Sequence, residues 1–233
     1  MTAAFRGCET VVMISAPVAG SDDRVLLHRH VIAAARDAGV RRVLFTSIAS
    51  ETDERSFYFP TQQINRTTEA DLRASGLDWT ILRNALYLDL DLRHILAAGQ
   101  SDGLYVNPGA SGRASYLTID ELAYATACSA LASGHEGQTW NLTGECLTQQ
   151  AILSHVNAVF GLAVRYESIS DEASIRRFET LMPERGPAVA RMLTGCFQSM
   201  RLGHFELPSH FEQAAGRPPR SVRQMLEDCR ARL

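Results

Sequence analysis

Tyr58 stands four positions ahead of Gln62, a spacing that in a proton relay would be filled by lysine. In such a pair the ammonium lowers the phenol's pKa, so that the tyrosine can pass a proton near neutral pH. A neutral glutamine supplies no charge, and Pro60 between the two predicts an interrupted helix. All 23 basic residues are arginine and none is lysine. A guanidinium holds its proton too tightly to stand in. Schiff-base chemistry, a phosphate-loop lysine and a lysine-assisted tyrosine are therefore excluded. Tyr58 is left as a weak candidate proton donor, with Tyr87 and Asn84 as further weak catalytic candidates.

Other residue types carry less chemistry. Phe57, Tyr58, Phe59 and Tyr87 could wall a flat acceptor during hydride transfer, a reaction that needs mainly proximity and an apolar stacking surface; ordinary packing is the alternative. His28 and His30 are two apart on an expected helix and face different ways, so they form no metal pair. His135 lies in a Gly-His-Glu-Gly turn and is expected to be exposed. No metal site and no Gly-x-Ser-x-Gly nucleophile turn is found. Cys8, Cys128, Cys146, Cys196 and Cys229 are too scattered for a Cys-x-x-Cys pair and read as reduced thiols of a cytoplasmic protein.

The elements that would position these residues alternate. Thr10–Ala16 reads as a β-branched strand buried on both faces and ended by Pro17. Asp22 or Asp23 caps a helix whose apolar stripe is Leu27, Val31, Ala34 or Ala35, and Ala38, with Gly39 as its stop. Val40–Ser47 is a second strand, about Gln62–Ser75 a helix, and Leu77–Arg83 a third strand. This order predicts an α/β fold, a Rossmann-like parallel sheet with right-handed crossovers. A helix over about Leu88–Ala98 follows, then a hairpin or loop-rich excursion near 103–117, and Thr118-x-x-Glu121 opens an alanine-rich helix. Gly137–Gly144 returns as a strand. The last third is mixed, with helices near Gln149–Phe160, between Asp171 and Met200, and after the Ser221-x-x-Gln224 box. We expect a partial nucleotide-binding domain over 1–148 and a small mixed α/β substrate lobe over 149–233, packed as one unit.

Composition narrows the class. The 233 residues are 45% hydrophobic and 21% charged, with a net charge of −3. That balance offers no basic face for nucleic acid, and no apolar run nears the roughly 18 residues that span a bilayer. Met1–Val12 does not read as a signal peptide. Met1–Cys8 reads as the last turn of a helix stopped at Gly7, so the chain is expected to begin inside an element and the first strand to have an open edge.

Six stretches in order resemble the NmrA-like, atypical short-chain dehydrogenase family, on the side of type-2 quinone reductases and triphenylmethane-dye reductases. They are Val11–Pro17 (VVMISAP), His30–Ser47 (HVIAAARDAGVRRVLFTS), Thr68–Asn84 (TEADLRASGLDWTILRN), Gly112–Ala125 (GRASYLTIDELAYA), Gly134–Gly144 (GHEGQTWNLTG) and Gly216–Leu226 (GRPPRSVRQML). The resemblance implies NADP or NAD as cofactor, hydride transfer to a small quinone-like or aromatic substrate, and a C-terminal substrate lobe. A non-enzymatic redox-sensing or partner-binding scaffold of the same family is the alternative, with the open edge of the first strand as a docking or homodimer surface.

Ligands of such folds bind beyond the carboxyl ends of the strands. The resemblance implies cofactor-binding roles there for Ser15, Ala16 and Pro17, for Thr46, Ser47 and Ile48, and for Asn84, Ala85, Leu86 and Tyr87. It matches Ser47 to the short-chain-dehydrogenase serine. Plainer readings remain: Pro17 ends a strand, Ser47 is a turn hydroxyl, and Asn84 caps the helix at Leu88. The family's Gly-rich phosphate turn has no counterpart in these residues; Gly109-Ala110-Ser111-Gly112 comes nearest and reads as a plain loop. Losing about three charge-assisted hydrogen bonds, at about 1.5–3 kcal/mol each, removes on the order of 10⁴–10⁶ in affinity. Weak or absent nucleotide binding is expected of the chain alone.

Overall fold

The computed structural model describes residues 1–15 and 21–232. A single turn, α1 (Thr2–Phe5), precedes β1 (Thr10–Ile14). Then come α2 (Ser21–Asp37), β2 (Arg42–Ile48), α3 (Phe59–Arg73), β3 (Asp78–Asn84), the short β4 (Leu86–Tyr87) and α4 (Leu88–Gly99). The expected excursion holds β5 (Leu104–Asn107) and β6 (Arg113–Leu117), and α5 (Ile119–Leu131) and β7 (Gln138–Leu142) follow. The last third contains β8 (Cys146–Thr148), α6 (Gln149–Phe160), β9 (Arg165–Ser168), α7 (Asp171–Leu181), α8 (Gly186–Arg201), α9 (Phe211–Ala215) and α10 (Val222–Arg230).

The fold is α/β with a Rossmann-like parallel sheet. Four strands pair in the order β1-β2-β3-β7, every pair parallel. The register sets Ile14 beside Thr46, Thr46 beside Leu82, and Ile48 beside Asn84. The strands thus end together, and one rim of the sheet gathers their carboxyl ends. β5 and β6 do not pair with each other: β5 joins β9, and β6 joins β4 and β8.

Successive strand residues face opposite sides, and the core divides accordingly. Val11, Met13, Val43, Phe45 and Ile81 pack with Ile32, Ala35 and Leu72 of α2 and α3. Leu44, Leu82 and Leu142 pack on the other face with Leu122, Ile152, Val156, Phe211, Val222 and Leu226. Each such side chain contributes about 1.5–3 kcal/mol when fully buried. Arg42 is 1% exposed in this interior. It donates to the carbonyls of Ser129 and Ala132, both at 3.0 Å, and so binds the carboxyl end of α5, where unpaired carbonyls favour a cation.

Several expectations are corrected. β1 is buried on one face only: Val11 and Met13 pack beneath α2 and α3, while Val12 is 39% and Ile14 73% exposed on the opposite face. On α2 the expected stripe is inward at Val31, Ala34, Ala35 and Ala38, joined by Ile32, but at the start of the helix His28 is buried and Leu27 is exposed. α2 starts at Ser21, so Asp22 and Asp23 lie inside its first turn. Pro60 does not interrupt α3, since it occupies the first turn, where no amide donor is needed. His135 is half-buried, its ring edge-on to Trp140 at 4.4 Å. The Thr118 hydroxyl caps α5, but Glu121 turns to Arg217 and the Arg220 amide rather than closing a box.

Candidate functional site

The candidate site lies where β1, β2 and β3 end. Beyond Ile14 the Ser15 amide donates to Thr46 Oγ1 at 3.1 Å, which ties the first two strand ends together. The Ser15 hydroxyl accepts from Arg24 Nη2 at 2.5 Å. Ala16 and Pro17 lie outside the described residues. At the end of β3 the Asn84 carbonyl accepts from Ala49, and the Ala85 amide donates to Leu142, so the backbone here is satisfied. The Asn84 side chain is not: it is 7% exposed, and its Oδ1 has no partner. A buried amide oxygen left unpaired costs about 1–3 kcal/mol, a cost removed by a ligand that brings a donor. Asn84 does not cap α4, whose N-cap is Tyr87, without a side-chain bond. Ala85 is buried, Leu86 and Ile48 half-buried, and Tyr87 38% exposed at the rim.

Alternation along β2 separates the two neighbouring hydroxyls. Thr46 shares a face with Leu44 and meets Ser15, whereas Ser47 points toward α3 and donates to Glu69 Oε1 at 2.7 Å. Glu69, 1% exposed, also accepts from Arg66 at 2.6 Å and from Arg83 at 2.9 and 2.6 Å. Burial would raise this carboxyl, but Arg83, Arg66 and the Ser47 hydroxyl together hold it below the usual range. The structure thus brings Ser15, Thr46 and Arg24 together at the strand ends and takes the Ser47 side chain into a separate ionic cluster.

Tyr58 begins α3 with its ring edge-on to Phe205 at 6.1 Å. Burial pushes its phenol well above the ordinary value of 10, and Cys196 pushes it further, against the opposing effect of Arg24. Gln62 takes no part in a relay: its Nε2 donates to Ser50 Oγ at 2.9 Å and its Oε1 accepts from the Asp53 amide. Phe57 lies under the Arg191 guanidinium at 4.0 Å, whereas Tyr58 and Tyr87 are the wall candidates whose phenols interact electrostatically with Arg24. The 56–58 segment is pinned from α8, where Ser56 Oγ bonds the Gly195 carbonyl at 3.0 Å and Ser199 Oγ at 2.8 Å. A Cβ on Gly195 would stand 2.3 Å from the Tyr58 nitrogen.

Sequence reasoning missed Arg24. The readable signal is a lone arginine one turn into the helix after the first strand. Its Nε is buried and unpartnered, and no ion pair joins it to a carboxylate among the described residues. Burial lowers its pKa, and the phenols of Tyr58 and Tyr87 oppose that shift. Also missed was a polar cluster behind the rim. The Tyr105 hydroxyl lies 2.8 Å from Gln149 Oε1 and 3.1 Å from Asp91 Oδ1, with one proton for the two acceptors, and Gln149 Nε2 donates to Tyr116 at 2.6 Å. Burial raises the Asp91 carboxyl and pushes the nearby Cys196 thiol up to about 12. Among the described residues no group of three or more His, Cys, Asp or Glu could hold a metal, and no helix is long and apolar enough to cross a membrane. Two surface hollows of about 450 and 540 Å³ lie away from the strand ends. In the first, Arg217, Arg220 and Arg232 are all paired with carboxylates.

Comparison with known proteins agrees with this geometry. The model of an NAD(P)H-binding family matches residues 1–104. Quinone oxidoreductase 2 of Escherichia coli K12 is 31% identical over 174 residues, which cover 73% of this chain and 58% of that protein. The NmrA-like family domain-containing oxidoreductase flvB of Aspergillus flavus is 29% identical over 146 residues, 62% of this chain and 47% of its own length. The matches thus span about half the length of these curated relatives. The triphenylmethane reductase of Citrobacter sp., solved with NADP(H), superposes with a TM-score of 0.83 at 25% identity, over 96% of this chain and 78% of its own. Strand order, the rim at the strand ends and these likenesses agree, and the chain resembles NAD(P)H-binding proteins of the NmrA-like and type-2 quinone reductase kind.

Proposed function

We propose that this chain contributes the nicotinamide-facing part of an NAD(P)H-dependent reductase that passes hydride to a quinone-like or dye-like acceptor. The observation that carries the reading is the buried, unpartnered Asn84 Oδ1 at the carboxyl end of a central strand. It fits the nicotinamide end of the cofactor, whose carboxamide brings the donor that Oδ1 lacks. Ser15 and Thr46 line the same rim, with Ala85, Leu86 and Tyr87 closing beside it and Ile48 behind. When bound, NAD(P)H supplies the hydride from its nicotinamide ring. The chain's own residues orient and exclude water: Tyr58 and Tyr87 wall the acceptor, and Asn84 fixes the ring that faces it.

Proton delivery is the lesser demand. The Tyr58 phenol, raised by burial, is a neutral acid able to donate a proton but poor at releasing one without a partner, so water serves equally for the product oxygen. Nucleotide affinity is the weak point, since no Gly-x-Gly-x-x-Gly turn occurs in the 233 residues. We place residues 1–148 as the nucleotide side and 149–233 as the acceptor side of one packed unit.

Titration of the purified chain with NADPH and NADH, followed by nucleotide fluorescence and thermal shift together, tests the reading. Saturable binding, even at millimolar nucleotide, that weakens about tenfold in Asn84→Leu supports it. No binding at millimolar nucleotide, or binding indifferent to Asn84, overturns it.

A further inference from the structure

We propose that Arg24 is a specificity-determining residue of the cleft, favouring acceptors that become anions on receiving hydride and rejecting acceptors that are already cations. This rests on the hydride-transfer reading above and deepens it by dividing the acceptor class. Four observations meet at this side chain. Ser15 Oγ holds Nη2 at the end of β1. Nε is buried and makes no hydrogen bond. Among the described residues no ion pair joins Arg24 to a carboxylate, although 17 arginine–carboxylate pairs occur elsewhere among them. Through Ser15 and Thr46 it is tied to the rim where β1 and β2 end, and the phenols of Tyr58 and Tyr87 feel its charge.

The two acceptor chemistries differ in the sign of the charge change. A quinone taking hydride from NAD(P)H becomes the hydroquinone monoanion and leaves NAD(P)⁺; one proton, from water or from Tyr58, then completes the hydroquinone. A triphenylmethane cation taking hydride at its central carbon becomes the neutral leuco form, and no proton is needed. A fixed guanidinium stabilises the developing oxyanion of the first and opposes entry of the second. Arginine keeps this charge through any burial the site imposes. At an effective dielectric near 20, unit charges several ångströms apart alter affinity by about tenfold to a hundredfold.

The test is equilibrium dialysis of the chain, without nucleotide, against three flat aromatic probes. These are 2-hydroxy-1,4-naphthoquinone, an anion at neutral pH, neutral 1,4-naphthoquinone, and the cationic dye crystal violet. The wild-type chain is expected to bind the anion at least tenfold more tightly than the neutral quinone and the cation least. Arg24→Leu is expected to abolish that order and admit the dye, and Arg24→Lys to restore the anion preference, with melting temperatures confirming folded variants. A wild-type chain that does not prefer the anion overturns the proposal whether or not any variant folds. So does an Arg24→Leu variant that keeps the preference. NAD(P)H oxidation, measured alongside, separates the two levels. Charge selection without turnover supports the role of Arg24 and defeats the reductase reading; turnover without charge selection does the reverse.

Discussion

Around Glu69 three guanidiniums converge on one buried carboxylate, from Arg66 and Arg73 on α3 and from Arg83 on β3, and the Ser47 hydroxyl completes the set. Across the end of the same sheet Arg24 has a serine hydroxyl for one nitrogen and no partner for its Nε. Both regions contain arginine at the strand ends, and both lie partly out of water. In the first, donors and acceptors satisfy one another and the charge is neutralised, which is what a structural ion cluster needs to survive desolvation. In the second, a cation and, nearby, the Asn84 oxygen remain open. Open polar atoms are costly unless something outside the chain completes them, so the unfinished region is the better candidate for ligand contact.

The comparison is broken most directly at the closed cluster. Glu69→Leu leaves the Arg66 and Arg83 guanidiniums without their counter-ion, a loss of about 3–5 kcal/mol. At about 2–4 °C per kcal/mol for a chain of this size, the melting temperature should fall by roughly 10 °C. A fall under about 2 °C would show that the cluster is not the closed unit described here. Acid reports the same group. The Glu69 carboxyl lies below its unfolded value, so its contribution is complete above about pH 4.5 and is lost as pH falls through the lowered folded pKa. In Glu69→Leu that part of the acid dependence should vanish from denaturation curves. Next in size is Gly195→Ala, which drives a methyl group into the Tyr58 backbone and should cost about 1–3 kcal/mol or more.

At the open region the expected stability changes are smaller. Asn84→Leu removes an unpaired buried amide, so chemical denaturation should move by less than about 1 kcal/mol in either direction. Nucleotide affinity should drop about tenfold in the same variant. A large stability loss would mean that Asn84 is structural. The smallest effect tests the reach of the Arg24 charge. His28 is buried against Phe45, with Nδ1 2.8 Å from Thr68 Oγ1. Desolvation first, and then Arg24, lower its pKa to about 4. The folded state binds this proton less readily than the unfolded state, so His28 contributes stability above about pH 6.5 that is lost as pH falls toward about 4. NMR titration of His28 in Arg24→Leu should show its pKa partly restored upward. An unchanged value would place the guanidinium farther from the interior than described.

How much was legible in the residues varies by element. The β-branched runs, the Gly39 and Gly161 stops and the Ser221-x-x-Gln224 box marked strands and helix ends because each is a local backbone preference. The inward face of α2 was legible in Val31, Ala34, Ala35 and Ala38, but not at its start, where His28 rather than Leu27 packs against Phe45. β1 looked doubly buried because its residues are apolar on both faces; exposure of Ile14 depends on what packs over its face of the sheet, not on its own composition. The motif stretches led to the rim of Thr46, Asn84 and Tyr87, yet adjacent Thr46 and Ser47 could be told apart only once α3 brought Glu69 to one face.

The amino-acid sequence by itself determined the alternation of strand and helix, the family resemblance, and the lack of any lysine among these 233 residues, since these follow from local propensity, motif order and residue inventory. Only the tertiary structure decided which polar atoms are left without partners. That property belongs to no residue alone: Arg66 and Arg24 are the same side chain, and one is neutralised and the other open because a carboxylate from the same helix reaches the first and none among the described residues bonds the second.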